Sequence, residues 1–153
     1  MNISANILAK IKNPFIQALI VLVLFLLSNG VVKILNANGF NGEVRLPWTL
    51  AVAFLLFYML YNAMIGLIAS KIKRYWLYSI YAFALLLMVD SFIANWISGI
   101  PMDDAGTYRW VFFVLCPVYV FFIVMVALIK KIVEIAEKED AQYDQSNSNQ
   151  NLN

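Results

Sequence analysis

Histidine is absent from this chain, cysteine occurs once, and charged side chains make up only 13% of it. The missing imidazole removes bis-histidine haem ligation, histidine metal sites and the commonest general base together. The single thiol, Cys116, excludes an intramolecular disulfide, so cysteine usage says nothing about compartment. Set in an apolar run beside Pro117, it reads as a small, buried, inert apolar residue. A net charge of +2 is too weak a field to argue for a nucleic-acid partner. The close acidic pair Asp103 and Asp104 lacks the further oxygen ligands that a cation needs. No catalytic, cofactor-binding or metal-binding residue is assigned, and the chain is not expected to be an enzyme.

What the chain has instead is apolar length. Apolar residues make up 63% of it, against about 45–50% in globular proteins. They gather in four runs, at residues 14–35, 48–69, 76–98 and 110–129. A helix rises about 1.5 Å per residue, so roughly 20 apolar residues cross a hydrocarbon core about 30 Å thick. The expected fold is all-α: a polytopic membrane protein with a four-transmembrane-helix bundle. Lys10, Lys12 and residues 15–27 have the outline of a secretory signal. The run continues through Val31, Val32, Ile34 and Leu35 without a small-residue cleavage pattern, so the first span is read as retained.

Basic residues in short loops set orientation. Lys10 and Lys12 precede the first span, Lys71, Lys73 and Arg74 join the second to the third, and Lys130, Lys131 and Lys138 follow the fourth. Only Lys33, Arg45 and Arg109 lie on the other side, so both termini are expected in the cytoplasm. A bacterial inner membrane is the expected location. Tyr75, Trp76, Trp96, Tyr108 and Trp110 fall at span boundaries, where amphipathic rings settle among headgroups. The loops at 36–47 and 99–109 are too short for an outer domain, and Asp103, Asp104 or Thr107 is expected to cap the fourth helix. That helix is expected to continue to residue 141, with Glu134 four residues from both Lys130 and Lys138. Residues 1–141 form the membrane domain in this reading, and the polar stretch 142–153 is a disordered tail.

Polar residues inside the spans carry the functional clues. Asp90 lies about 12 Å of rise below the end of the third span. It is expected to be neutral, paired or facing a wet cavity. Ser91, Asn95 and Ser98 form a polar stripe beside it, and Asn29 and Lys33 of the first span fall at a comparable depth. Asp90 locked to Asn29 or Lys33 is the expected arrangement, with Arg109 a second candidate counter-charge; an ion path through the same residues is the alternative. Asn62, Gly66 and Ser70 follow one another at four-residue spacing in the second span, a seam that lets helices approach closely. The cytoplasmic half otherwise offers few polar groups.

The functional expectation is a non-catalytic subunit or scaffold of a membrane assembly, joined to other subunits or to itself through such seams. A small ion or proton channel or transporter organised around Asp90 is the second reading, and a lipid-acting membrane enzyme the third. The charge count makes one prediction directly. A tag on either terminus stays unlabelled by an impermeant reagent applied to intact cells; labelling of either end contradicts the topology.

Overall fold

Asn13 starts the first helix. Its Oδ1 accepts from the Phe15 N–H at 3.1 Å, its backbone is extended, and Pro14 supplies a fixed φ suited to the first helical position. The computed structural model describes residues 13–39, 42–68 and 72–150. In it, α1 runs Pro14–Ala37, α2 Leu46–Ile68, α3 Ile72–Ser98 and α4 Thr107–Gln150. No strand occurs among the described residues. All four helices are long and apolar enough to cross a membrane. The start of α1 and the end of α3 coincide with the limits of the apolar runs, and the other ends differ from them by one or more residues. At the end of α3, Gly99 takes φ +67° and its N–H bonds the Asn95 carbonyl at 2.9 Å.

Each helix turns one stripe inward at three- and four-residue spacing. On α1 it is Gln17, Val21, Phe25 and Asn29; on α2 Trp48, Leu55, Tyr58 and Asn62; on α3 Ser79, Leu86, Asp90 and Ala94; on α4 Phe112, Leu115, Tyr119 and Ile123. The opposite faces expose Leu27, Phe92, Phe113 and many other large apolar side chains. In water such surface would demand a cover; in a bilayer, acyl chains supply it.

Helix α2 is the centre of the bundle. It packs against α1, α3 and α4; α1 also packs on α3, α3 touches α4 only slightly, and α1 does not pack against α4. One end of the bundle carries the loops 38–45 and 99–106, and is the two-loop end. There Trp48 crosses Phe112 edge-on at 5.7 Å and donates Nε1–H to Ser98 Oγ at 3.1 Å, while Thr49 Oγ1 and Tyr108 OH lie 2.7 Å apart. The other is the tail end, from which α4 projects.

Three expectations are corrected here. Arg109 pairs with Asp103 at 3.1 Å, both side chains exposed, so this arginine faces the loop rather than Asp90 and Asp103 forms a surface pair. Such a pair contributes at most about 1 kcal/mol. Cys116 lies on the exposed face of α4, its Sγ 3.8 Å from the Phe112 carbonyl, because the buried stripe of that helix passes through Leu115 and Tyr119 instead. Helix α4 also runs past residue 141 to Gln150. Neither glycine nor proline occurs after Pro117, so nothing in the backbone stops the helix where the composition turns polar. Ser70, Lys10, Lys12, Lys71 and residues 151–153 lie outside the described residues.

Gly66 is buried where α2 meets α3 and α4. A Cβ there would stand 3.5 Å from Trp76 Nε1 and from Val126 Cγ1, ordinary contact distances. Gly66→Ala is therefore expected to stabilise the bundle by up to about 1 kcal/mol through lost chain entropy in the unfolded state. A raised thermal midpoint in detergent supports this; a lowered one means the helices lie closer than described.

Candidate functional site

Two sets of buried polar groups lie at different heights in the bundle. The lower set, towards the tail end, is centred on the Asn62 carboxamide and draws on all four helices. Asn62 Nδ2 donates to Gln17 Oε1 of α1 at 2.8 Å and has a longer contact with Tyr58 OH at 3.3 Å. Asn62 Oδ1 lies within bonding reach of Tyr119 OH of α4, at 3.1 Å, and of Ser79 Oγ of α3, and these two hydroxyls lie within reach of each other; with one proton apiece they make two of these three bonds at a time. Tyr75 OH lies 3.4 Å from both Gln17 Nε2 and Gln17 Oε1. Tyr58 OH can donate to the Ser79 carbonyl at 3.4 Å or the Pro14 carbonyl at 3.5 Å. Phe83 stacks on Tyr119 at 4.3 Å, closing the set on its upper side.

Above it the interior is apolar. Phe25, Leu55, Leu86 and Phe112 each lie seven or eight residues from their network neighbours, about 10 Å of rise, and all are buried. Higher still lies the second set. Asp90 is 0% exposed, and neither carboxyl oxygen has a hydrogen-bond partner. Asn29 is buried too. Its Nδ2 donates to the Phe25 carbonyl of its own helix at 2.9 Å, and its Oδ1 is without a partner. Helices α1 and α3 both start at the tail end and pack together. Asn29 is about 18 Å of rise beyond Gln17, and Asp90 about 16 Å beyond Ser79, so the two stand at similar heights. Among the described residues these three oxygens are the only buried side-chain polar atoms without a hydrogen bond.

The remaining sequence candidates are dispersed. Lys33 is exposed, and no ion pair joins it to Asp90. Ser91 is half-buried and directs its hydroxyl at Met102 Sδ, 3.7 Å away; Asn95 is exposed; Ser98 receives the Trp48 indole. The direct Asp90–Asn29 or Asp90–Lys33 bond expected from the sequence is thus not made. Asn62 and Gly66 both face the chain's own interior, so this seam joins α2 to its neighbours within one bundle. Gln17, Ser79 and Tyr119, which the sequence reading passed over, complete a polar layer in the half expected to be poor in polar groups. The available signal was register: Gln17 recurs with Val21, Phe25 and Asn29 every four residues, and Ser79 shares a face with Leu86 and Asp90. Among the described residues no group of three metal-ligating side chains occurs. No protein-family model, curated protein or solved structure matches this chain.

Removing the hub strands several partners at once. Asn62→Leu is expected to destabilise the bundle by about 2 kcal/mol or more, and Tyr119→Phe by about 1 kcal/mol. Unfolding in mixed micelles reads both; equal, negligible effects would mean that apolar packing alone holds the helices.

Proposed function

We propose that this chain is a non-catalytic integral membrane subunit or scaffold, with both ends in the cytoplasm of a bacterial cell, that docks other membrane subunits or a second copy of itself. Helix α4 carries the reading. It is 44 residues long, about 66 Å, roughly twice what a bilayer core requires. Every described side chain from Lys131 to Tyr143 is exposed. Ile132, Ile135, Ala136 and Tyr143 fall within about 100° of one another around that segment, a stripe suited to a partner helix. Helices standing alone in water are marginal, and most gain their stability from packing. The Asn62–Gly66 seam is already used inside the bundle, so the projecting part of α4 is the docking element in this proposal.

The interior favours a structural role over conduction. The lower polar layer is bonded within itself, and an apolar layer separates it from Asp90. Asp90 itself favours the second reading, a proton or ion path, because a buried carboxyl group without a partner is costly in a membrane. Two experiments separate these. Full-length protein extracted in mild detergent is expected to migrate as an assembly of fixed stoichiometry, and a variant ending at residue 129 as a folded monomer; monomers in both cases contradict the subunit reading. Purified protein in liposomes is expected to pass no protons or monovalent cations; flux abolished by Asp90→Asn establishes the second reading in its place.

A further inference from the structure

At the two-loop end, a cavity of about 450 Å³ lies between the end of α1, the end of α3 and the 42–47 segment. Its size falls in the range of about 300–1,000 Å³ usual for small-molecule sites. Lys33, Asn36, Glu43 and Trp96 line it, and Asn29 is its deepest residue on α1, one turn below Lys33. We infer that this cavity binds the headgroup of a phospholipid bearing a primary ammonium group. The phosphate then meets Lys33 and the ammonium Glu43; a small side-chain shift, needed because Asn29 Oδ1 has almost no accessible surface, lets that oxygen share the ammonium.

The chemistry of the lining selects that headgroup. Lys33 and Glu43 face one cavity, and neither makes an ion pair with a described residue. One cation and one anion held apart match a zwitterion better than a ligand of single charge. Asn29 adds a sharper requirement. It is 96% buried, its Nδ2 is committed to Phe25, and its Oδ1 needs a donor that no described residue supplies. A primary ammonium brings three N–H donors, whereas a quaternary one brings none. Asn36 Oδ1 is held by the Gly42 N–H at 3.1 Å, which fixes the cavity's edge. Only glycine allows that approach, since a Cβ at residue 42 would stand 2.8 Å from Asn36 Oδ1.

The surroundings point to a lipid as the source of the headgroup. Trp96, in the last turn of α3, is 81% exposed, as expected of an indole at headgroup level. Val32 on α1 and the exposed Val44 in the loop line the cavity and offer an apolar surface to acyl chains. The inference needs only that the helices lie in a bilayer; it does not depend on the subunit role.

The test is native mass spectrometry of the full chain in micelles holding equal amounts of phosphatidylethanolamine, phosphatidylcholine and phosphatidylglycerol with identical acyl chains. The ethanolamine lipid is expected to be retained about five-fold or more over the choline lipid, the discrimination of one charge-assisted hydrogen bond. Lys33→Ala is expected to weaken retention of the ethanolamine lipid. Glu43→Gln and Asn29→Ala are each expected to reduce its preference over the choline lipid. Lys33 and Glu43 are exposed, so their variants keep the fold, and circular dichroism checks Asn29→Ala. Equal retention of ethanolamine and choline lipids, preferential retention of phosphatidylglycerol, or a preference untouched by all three substitutions overturns the inference. Displacement by an equal concentration of free phosphoethanolamine also overturns it, assigning the cavity to a soluble zwitterion.

Discussion

A single carboxamide, that of Asn62, is where the four helices meet. Inside a bilayer there is no water to satisfy a stray polar atom, so each one between helices must find its partner in protein. Asn62 offers two donors and one acceptor oxygen, and uses them to reach Gln17 on α1, Ser79 on α3 and Tyr119 on α4. Apolar packing cannot by itself fix rotation in such a bundle, because lipid tails compete with any apolar contact. A directional hub can. It explains why α1 and α4, which do not pack on each other, still have a defined relation through α2.

The upper half follows different rules. Trp48, Phe112, Tyr108 and Thr49 close the two-loop end with one aromatic crossing and two hydrogen bonds. Beneath them Asp90 and Asn29 carry oxygen atoms that no described residue satisfies. The asymmetry divides the molecule into a bonded, rigid lower half and an upper half that keeps unspent binding capacity. The cavity between α1 and α3 belongs to that upper half and is lined by Asn29, the residue that carries one of those atoms.

Much of the architecture could be read from composition, because bilayer thickness dictates how long an apolar run must be. The four long apolar helices, their order and the short loops follow from that one length. The site was less legible. Gln17, Ser79 and Tyr119 lie in helices with apolar residues on every side, so apolar periodicity does not say which stripe faces inward; only the recurrence of Gln17 with Asn29, and the face Ser79 shares with Asp90, marks it. Asp90 was conspicuous as a charge at depth, yet its partner could not be inferred from depth alone; the side chains expected beside it bond their own helix or face outward. Polar composition alone predicts a loss of structure beyond residue 141, whereas helix α4 continues to Gln150 because no residue there breaks a helix.

If Asn62 couples the helices as described, its effects must pass between residues on helices that do not pack together. A double-mutant cycle of Gln17→Leu on α1 and Tyr119→Phe on α4, with unfolding free energies measured in bilayer discs, reads that coupling. A hub predicts an interaction energy of about 0.5–1 kcal/mol, each substitution costing less once the other has been made. Additivity within about 0.3 kcal/mol would contradict it and leave four helices held by packing alone.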